Sequence, residues 1–393
     1  MDFVSLPGCV LIGLSAAGTA YTLAAAALLA RFGARTLPVQ RSEDGPPQRS
    51  EGVTLLKPLY GAEPNLLQNL STFCTLDHAG PLQIVFGVQR PGDPAHGVIE
   101  RLRAQFPNVR IDVITDGVRP AANGKIANLR AMAPHAAHQL LALSDSDIAV
   151  PPDYLRRILA ALDGPRVGAV TLAYCGRGDA GFWSRLGAAG LDWQMLPGVV
   201  FGVATGLATP CMGSTIALRA ETLAAIGGFA AFADTLADDY AIGAAIRARG
   251  EAVAMPPCLV THGSAETSLV DLWQHELRWA ATVFGVEPIG HTASVIALPL
   301  PLALLALPFV PWGGTVAVLA AWLARSMLVL AAARATRAKP FGSLALSLAL
   351  LPIRDILSFA VYIASFVTRS VVWRGEKLTM KPEGRIEPGT EIV

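Results

Sequence analysis

The sequence has little charge and few cysteines. Of its 393 residues, 16% are charged and 52% are hydrophobic, whereas soluble domains carry about 25% charged residues. Because so apolar a chain can bury a large core, intrinsic disorder is excluded. The formal net charge of +1 gives no general attraction for phosphate backbones, so no nucleic-acid partner is expected. The five cysteines are scattered and form no CxxC pair, which argues against a disulfide framework or a zinc knuckle.

The charge is missing at both ends of the chain. No charged residue occurs in residues 3–30, and about 20 apolar residues suffice to cross a bilayer core. This segment lacks the basic start that is typical of a cleaved signal peptide. Residues 1–31 are therefore predicted to form an N-terminal transmembrane helix.

The second apolar region, residues 288–368, is predicted to contain two to three further membrane segments. Two helices fit within residues 291–333. Residues 343–367 are long enough to cross but contain a proline and two charges, Pro352, Arg354 and Asp355. A kinked span, a re-entrant hairpin and an interfacial helix all fit this segment.

Basic residues predict the orientation. Several arginines follow the first apolar segment and none precedes it, which places the central region in the cytoplasm. By the same rule the basic tail, residues 369–393, would be cytoplasmic, yet one further crossing by residues 343–367 would export it. The sequence alone therefore leaves the side of the C-terminus open.

Residues 52–287, after a linker at residues 32–51, have the composition of a globular α/β domain. Short buried strands alternate with amphipathic helices, which predicts a mostly parallel sheet with ligands at the carboxyl ends of its strands. Residues 182–209 are apolar but interrupted by glycine and proline. That pattern predicts an interfacial element beside the membrane.

Two acidic motifs can carry chemistry. Asp145 and Asp147 directly follow a predicted strand and could hold a Mg²⁺ or Mn²⁺ ion that bridges nucleotide phosphates; such a pattern also occurs in plain solvated turns. Asp238 and Asp239 precede a helical stretch. Adjacent carboxylates raise each other's pKa and favour general-base catalysis, although one of them could simply cap the helix.

Three other features are weaker signals. Lys125 lies at a loop-to-helix junction, where phosphate can bind. His262 could be a metal ligand, although an isolated histidine is more often structural. Helical spacing brings His275, Arg278 and Trp279 together, so they could hold a diphosphate and cover an acceptor site. An amphipathic helix on the membrane surface would give the same pattern.

Taken in order, the motifs resemble the membrane-bound lipid glycosyltransferases, a family that includes ceramide glucosyltransferase and, more closely, the bacterial hopanoid-biosynthesis glycosyltransferases. The resemblance covers residues 55–279 and extends into the C-terminal membrane segments. It is carried by Leu56-Lys57-Pro58-Leu59-Tyr60-Gly61-Ala62-Glu63, Gly87-Val88-Gln89, Asp93-Pro94-Ala95, Asn123-Gly124-Lys125-Ile126-Ala127-Asn128, Asp145-Ser146-Asp147, Gly213-Ser214-Thr215, Gly227-Gly228-Phe229, Leu236-Ala237-Asp238-Asp239-Tyr240 and Arg278-Trp279.

The resemblance implies a GT-A fold, a divalent metal and a UDP-sugar donor. The residues assigned to the donor are Pro58, Tyr60, Glu63, Gln89, Asp93, Lys125 and Asp145. Gln89 and Asp93 are substitutes, because this chain has Arg90 where the family often has Asp. The metal would be bound by Asp147 with Asp145 beside it, and the sequence pattern adds His262 as a candidate.

The resemblance also assigns the catalytic residues. Asp239 would be the general base, with Asp238 beside it, and Arg278 and Trp279 would form the closing motif. That motif begins here with His275 where the family usually has Gln or Arg. A protonated histidine can still donate a hydrogen bond at this position.

The predicted function is inverting transfer of glucose or N-acetylglucosamine from a UDP-sugar to a hydroxyl of a hopanoid or ceramide-like lipid, which gives a β-glycolipid. The expected location is the bacterial inner membrane, with several crossings, a cytoplasmic catalytic domain and no obligate protein partner. The alternatives are a processive polysaccharide synthase, which would need more helices for a polymer channel, and a non-enzymatic membrane or transport protein. A dehydrogenase is the weakest alternative, because the GxGxxG match at residues 176–181 is interpreted as a flexible loop.

Overall fold

A computed structural model of the chain describes residues 5–36, 50–115, 121–338, 340–373, 376–380 and 385–388. Residues 37–49 of the predicted linker and residues 389–393 of the predicted basic tail lie outside the described residues. The helices are α1 (Ser5–Arg35), α2 (Leu66–Cys74), α3 (Ala95–Gln105), α4 (Gly124–Met132), α5 (Tyr154–Leu162), α6 (Phe182–Gly190), α7 (Leu196–Thr205), α8 (Ala220–Ala225), α9 (Asp238–Ala248), α10 (Leu269–Val286), α11 (Pro288–Ala293), α12 (Pro299–Ala306), α13 (Pro311–Thr336) and α14 (Leu344–Ser365). The strands are β1 (Val53–Leu59), β2 (Leu82–Val88), β3 (Arg110–Ile114), β4 (Leu140–Leu143), β5 (Ile148–Ala149), β6 (Val167–Thr171), β7 (Ala173–Gly178), β8 (Ile216–Arg219), β9 (Ala252–Ala254), β10 (Leu259–Ser264), β11 (Ser370–Trp373), β12 (Glu376–Met380) and β13 (Ile386–Pro388).

The central sheet is mostly parallel. Within the described residues it has seven strands in the order β3-β2-β1-β4-β8-β6-β9. Strands β3, β2, β1 and β4 pair in parallel, as do β6 and β9, whereas β8 runs antiparallel to β4 and β6. The predicted α/β fold class is therefore confirmed.

Helices cover both faces of this sheet. Apolar residues of α2, α3 and α5 form a buried core on one face, including Phe73, Ile99 and Ile158. Residues of α4 and α9 pack on the other face, including Leu129 and Ile242. Because β1, β2 and β4 run parallel, the loops after them meet at one edge of the sheet, where ligands of open α/β sheets bind.

A second sheet brings His262 to the acidic turn after β4. Its strand order is β5-β10-β7, and His262 on β10 lies opposite Ile148 of β5. The Gly263 N–H donates to the Asp147 carbonyl at 2.8 Å. This pairing joins residues that are more than a hundred positions apart in the sequence.

A flexible loop was predicted at residues 176–181, and the prediction is wrong for residues 176–178, which belong to a strand. Gly176 and Gly178 lie in β7 and pack directly against α6. A Cβ atom on Gly176 would lie 2.5 Å from the Ala188 Cα, and one on Gly178 would lie 2.6 Å from the Arg185 Cα. These glycines therefore permit a close strand–helix contact, which needs no nucleotide to explain it.

The apolar ends fold into long helices. By length and composition α1, α13 and α14 could each cross a membrane, and residues 288–306 form a helix pair bent by 68°. One N-terminal and two to three C-terminal apolar helices were expected, and this part of the fold prediction is confirmed. The apolar residues 182–209 form α6, a π-helical turn and α7, and Trp193 and Leu196 of this segment pack with Leu29 of α1 and Leu328 of α13.

The charges within the apolar helices form a buried ion pair. Arg325 of α13 donates two hydrogen bonds to the Asp355 carboxylate of α14, at 2.9 and 2.6 Å. It also donates to the Trp193 carbonyl at 2.8 Å. A buried charge is tolerated when it is paired and hydrogen-bonded, so this pair joins α13, α14 and the π-helical turn.

The basic tail contains three antiparallel strands that contact the globular domain. Strands β11, β12 and β13 form a sheet. The Ile386 N–H donates to the Asp234 carbonyl at 2.9 Å. The backbones of Arg385 and Thr235 form an isolated antiparallel β-bridge. Both contacts are made just before α9, the helix that begins at Asp238.

Candidate active site

Lys125 lies at the centre of a buried cluster of carboxylates. Its ammonium group is 2.7 Å from Asp145 Oδ1 and 3.3 Å from Asp238 Oδ2. Burial alone would lower the pKa of Lys125, but the negative charges of Asp145, Asp238 and Asp239 outweigh burial and raise it. The lysine therefore remains charged at neutral pH.

The start of α4 fixes the position of this lysine. Asn123 caps the helix, because its side-chain oxygen accepts hydrogen bonds from the N–H groups of Lys125 and Ile126, at 2.9 and 3.1 Å. Its amide nitrogen donates to the Thr235 carbonyl at 2.8 Å and to Asp238 at 3.3 Å. The Asn123 side chain thus connects the start of α4 to the loop before α9. A helix start of this kind is where phosphate groups commonly bind.

Asp239 is held by two backbone N–H groups, one on each carboxylate oxygen. Gly213 donates to Oδ2 at 2.9 Å, and Tyr240 donates to Oδ1 at 2.8 Å. Burial and the neighbouring Asp238 raise the pKa of Asp239 to about 6, although Lys125 and the two N–H groups oppose the rise. A carboxylate with this pKa is ionised at neutral pH and can still take up a proton.

Gly213 lets the two acidic motifs approach each other. A Cβ atom at this position would lie 2.9 Å from both Asp145 Oδ2 and the Lys125 ammonium, and 3.6 Å from Asp239 Oδ2. Asp145, Lys125 and Asp239 therefore face one small space. Burial raises the pKa of Asp145, although Lys125 opposes the rise.

Asp147 faces His262 rather than Lys125. The distance from its Oδ2 atom to His262 Nε2 is 3.2 Å. Burial alone would raise the pKa of Asp147, but His262 and Lys57 outweigh burial and lower it to about 2. Burial alone would lower the pKa of His262, and Asp147 raises it above its usual range. Each partner therefore favours the charged form of the other.

A divalent cation fits Asp147. Its Oδ1 atom is buried and has no hydrogen-bond partner within the described part of the chain. No group of three or more His, Cys, Asp or Glu side chains in the described ranges could enclose a metal by itself. Mg²⁺ is commonly bound by one or two carboxylates together with substrate phosphates, and Asp147 with Asp145 matches that pattern.

His262, His275 and Trp279 form an aromatic group next to Asp147, and Tyr174 stacks on His262 with ring centroids 5.5 Å apart. The Trp279 ring packs edge-to-face with two histidine rings, with centroids 5.7 Å apart for His262 and 4.5 Å apart for His275. His275 Nδ1 is hydrogen-bonded to Glu266. The predicted closing motif therefore lies beside the predicted metal ligands.

The expected donor residues form the loops around this edge of the sheet. Pro58 is buried within β1, and Glu63 accepts a hydrogen bond from Ser146, the central residue of the acidic turn, at 2.7 Å. The guanidinium of Arg90 lies over the Tyr60 ring, 5.6 Å from its centroid. Tyr60 and Glu63 therefore lie on the side of the site that faces β1.

Gln89 and Asp93 have structural partners. The Gln89 amide donates to the Gly124 carbonyl at 2.9 Å, beside Lys125. Asp93 accepts from the Gly61 N–H at 2.9 and 3.0 Å, which fixes the loop after β1 where Gly61 has a φ of 71°. Both residues therefore shape the nucleotide side of the site, and their contact with uridine stays a prediction.

Sequence reasoning assigned no role to Lys57, which the structure places under the acidic turn. Its side chain is fully buried, and it donates to Ser144 Oγ at 3.2 Å and to the Asp145 carbonyl. Burial lowers the pKa of Lys57 to about 7, although Asp145 and Asp147 oppose the fall. The only signal in the sequence was a lysine within an apolar strand.

Sequence reasoning also missed a cavity between the globular domain and the apolar helices. The cavity has a volume of about 440 Å³, and its wall combines His262, His275 and Trp279 with residues of α1, α6, α10 and α14. Three charged residues with no assigned role, Glu266, Glu276 and Arg354, also line it. The cavity thus extends from the candidate active site to the apolar helices.

A known protein family matches most of the chain. The family model described as Glycosyl transferase family 21 matches residues 11–386. The chain is 25% identical over 244 residues to ceramide glucosyltransferase 1 of Caenorhabditis elegans, which covers 60% of this chain and 51% of that protein. It is 24% identical over 212 residues to the beta-monoglucosyldiacylglycerol synthase of Synechocystis, covering 53% of this chain and 42% of the relative. The chain thus spans about half the length of these relatives or less.

A solved structure is also similar. It is a mannosyltransferase from Pyrobaculum calidifontis in complex with GDP-Man and Mn²⁺, 22% identical, with 91% of this chain and 98% of that chain covered. The TM-score is 0.46, so the assignment of the fold depends on the strand order and on the family match.

Proposed function

The chain belongs to glycosyl transferase family 21, and we propose that it transfers glucose or N-acetylglucosamine from a UDP-sugar to a hydroxyl of a membrane lipid. The observation that carries this proposal is the convergence of Asp145, Lys125 and Asp239 on one space at the carboxyl edge of the sheet. The cavity that leads from this edge to the apolar helices supports a lipid acceptor.

In the proposed reaction Asp239 is the general base. It accepts the proton of the acceptor hydroxyl while that oxygen attacks the anomeric carbon from the face opposite to UDP. The bond from the anomeric carbon to the UDP oxygen breaks in the same displacement, so an α-linked donor gives a β-linked product. The two N–H groups on Asp239 keep its carboxylate in a fixed orientation before the reaction.

Positive charge next to the carboxylates would stabilise the leaving group. Lys125 lies at the start of α4, where its ammonium group and the positive end of the helix dipole favour a diphosphate. Arg278 lies on α10 at the edge of the site. Burial raises the pKa of Tyr174 there, and the charge of Arg278 opposes the rise. A divalent cation held by Asp147 and Asp145 would neutralise the charge that develops on UDP.

The acceptor enters the proposal as a lipid alcohol. One relative is named for ceramide and another for a diacylglycerol, and the hopanoid acceptor predicted from the sequence is a third candidate. Each has a hydroxyl at the membrane surface and a body that stays in the bilayer. A cavity between the catalytic domain and the apolar helices suits such a molecule.

We place α1 and α13 across the membrane. Their far ends meet where a Cβ atom on Gly313 would lie 2.8 Å from Ile12 Cδ1, and their near ends meet where one on Gly33 would lie 2.6 Å from the Ala335 Cβ. Arg157 of the globular domain donates to the Arg35 carbonyl at 3.3 Å, at the near end. The domain would then lie on the side that the basic residues favour, the cytoplasm of a bacterial cell.

Helix α14 would lie in the interface without crossing. Its 22 residues extend about 33 Å, yet the middle of the helix is bound to the domain, where Arg354 pairs with Glu276 of α10 at 2.7 Å. Phe341, just before the helix, contacts Phe182 of α6 with centroids 6.1 Å apart, and Ser365 at the other end bonds His291 of α11 at 2.8 Å. A face of exposed apolar side chains remains for lipid, Leu346, Ile353, Ile356 and Ile363. The tail would then stay on the cytoplasmic side.

The experiment that tests the function is mass spectrometry of lipids from cells with and without the protein. We expect one class of glycolipid to appear with the protein, and its mass to identify both the sugar and the acceptor. A ladder of oligosaccharides would indicate a processive synthase instead. Unchanged lipids, together with a failure to bind UDP, would favour a non-enzymatic protein.

A further inference from the structure

Two charged side chains in the wall of the cavity have unused hydrogen-bonding atoms. Glu266 and Arg354 both line it, and both residues are more than nine-tenths buried. Glu266 Oε2 and the Nε and Nη1 atoms of Arg354 have no hydrogen-bond partner among the described residues. Leaving such groups unpaired in a protein interior is costly, above all for charged groups, which points to a ligand that pairs with them.

The remaining atoms of the two side chains are firmly held. Arg354 Nη2 donates to the Glu276 carboxylate, at 2.7 Å to Oε1, and to Ser358 at 3.1 Å. The other oxygen of Glu266, Oε1, is bonded to His275. Each side chain is thus held through some of its polar atoms. Glu266 Oε2 and the Nε and Nη1 atoms of Arg354 are left for a ligand.

Two glycines of α6 leave space for these charged groups. A Cβ atom on Gly187 would lie 3.2 Å from Glu266 Oε2, and one on Gly190 would lie 2.6 Å from Arg354 Nη2. The glycines are three residues apart and therefore face the same side of the helix. A larger side chain at either position would push against the group that has free atoms.

The pair lies close to the reacting end of the cavity. His262, which contacts Asp147, also lines the cavity, and its ring centroid is 6.4 Å from that of His275. Since Glu266 is bonded to His275, a molecule whose hydroxyl lies near His262 would need a second polar group only a few atoms away to reach Glu266 and Arg354.

We propose that Glu266 and Arg354 form a head-group subsite that binds a second, non-reacting polar group of the lipid acceptor. An uncharged hydroxyl or amide suits both partners, because it donates to Glu266 Oε2 and accepts from Arg354 Nε or Nη1. An anionic phosphate suits them less, because Glu276 already pairs with the guanidinium and Glu266 adds a second carboxylate to the wall of the cavity. The subsite would select lipids with two adjacent polar groups over lipids with a single hydroxyl.

This inference rests on the proposed function in one respect, the identification of the ligand as a sugar acceptor. Its test therefore measures lipid binding in the absence of a donor sugar. The full-length protein in lipid nanodiscs would be titrated with tritiated hexadecane-1,2-diol, hexadecan-1-ol and hexadecyl phosphate in a scintillation proximity assay. Empty nanodiscs correct for partitioning. The diol and the alcohol share a tail and differ by one hydroxyl, so the ratio of their dissociation constants reports the subsite.

We expect wild-type protein to bind the diol about tenfold more tightly than the alcohol, since a site built for a hydroxyl discriminates against the analogue that lacks it. Hexadecyl phosphate should bind no better than the alcohol. Glu266→Gln and Arg354→Gln should each bring the ratio close to one. Glu100→Gln, which changes an exposed carboxylate on α3, should leave the ratio at its wild-type value.

Arg354→Lys covers the case in which Arg354→Gln fails to fold. It keeps a positive charge next to Glu276 but removes Nε and the planar fork, so it should fold, by circular dichroism, and still lose the preference for the diol. Equal binding of diol and alcohol by wild-type protein, tighter binding of the phosphate, or an unchanged preference in the folded variants would overturn the subsite.

The outcomes also separate the subsite from the function. If the protein makes a glycolipid but has no preference for the diol, the subsite is wrong and the function stands. If the preference is found and depends on Glu266 and Arg354, but no glycolipid forms, the function is wrong and the subsite stands as a lipid-binding site.

Discussion

At the scale of single residues, the site is a balance of buried opposite charges. Asp145, Asp238 and Asp239 are three carboxylates around one lysine, Lys125, and the attraction outweighs the cost of burying that lysine. Asp239 is the only one of the three with hydrogen bonds from two backbone N–H groups among the described residues. It is therefore the best oriented of the three to take a proton.

The pKa of Asp239 predicts the pH dependence of the reaction. Its value of about 6 results from burial and Asp238, opposed by Lys125, Gly213 and Tyr240. Since the base must be unprotonated, kcat/KM for sugar transfer should fall about tenfold per pH unit below pH 6 and level off above about pH 7. The measurement is a pH–rate profile between pH 4.5 and 8.5.

A second profile tests whether Lys125 helps to set that pKa. Lys125→Met removes a charge that lowers the pKa of Asp239, so the remaining activity should need a higher pH. A flat wild-type profile between pH 5 and 7, or a Lys125→Met profile shifted to lower pH, would contradict the assignment of the base.

At the scale of elements, helix starts position the site. Asn123 caps α4 with two hydrogen bonds and also holds Asp238. Asn123→Ala should destabilise the protein by about 1 kcal/mol, the usual value of such a cap, and should also reduce sugar transfer, because Lys125 is the second residue of α4. The thermal midpoint in detergent and the transfer rate would be measured together.

Ser343→Ala is the matched control for that prediction. Ser343 caps α14 by accepting a hydrogen bond from the Leu346 N–H at 3.1 Å, and it is exposed. The variant should lower the thermal midpoint by a similar amount and keep most of the transfer activity. An equal loss of activity in both variants would mean that the start of α4 has no special part in the site.

Local patterns in the sequence predicted most elements near the site. A buried strand that ends in polar residues can be recognised from a few consecutive residues alone. The helical stretch predicted at Asp238 and Asp239 forms α9, and the turn from Asp145 to Asp147 follows the predicted strand β4. The contact between His262 and Asp147 could not be predicted, because it depends on a sheet pairing between distant strands. Glu266 and Arg354 line one cavity because α14 packs against the domain, which is again an arrangement of distant parts of the chain.

At the scale of the whole molecule, the apolar helices and the domain enclose the cavity together. The charges in residues 343–367 left three interpretations of that segment open. In the structure Arg354 pairs with Glu276 of α10, and Asp355 pairs with Arg325 of α13. Both charges face protein, which supports α14 lying along the domain with its apolar face towards lipid.

The placement of α14 can be tested by labelling its two ends. Ser343→Cys and Thr368→Cys, each in a background without the native cysteines, would be exposed to a membrane-impermeant maleimide in intact spheroplasts and in inverted vesicles. Both positions should react only in inverted vesicles, as should Glu100→Cys in the globular domain. Reaction of one end from each side would mean that α14 crosses the membrane.

The central claim is that this chain links a sugar to a lipid hydroxyl with Asp239 as the base. The direct measurement is transfer of radiolabelled sugar from UDP-glucose or UDP-N-acetylglucosamine into extracted lipid by the purified full-length protein. We predict one labelled glycolipid and a rate about 10²–10⁴-fold lower for Asp239→Asn, with UDP binding retained and with Asp271→Asn, an exposed carboxylate on α10, close to wild type. No labelled lipid from either donor, or a wild-type rate for Asp239→Asn, would contradict the account.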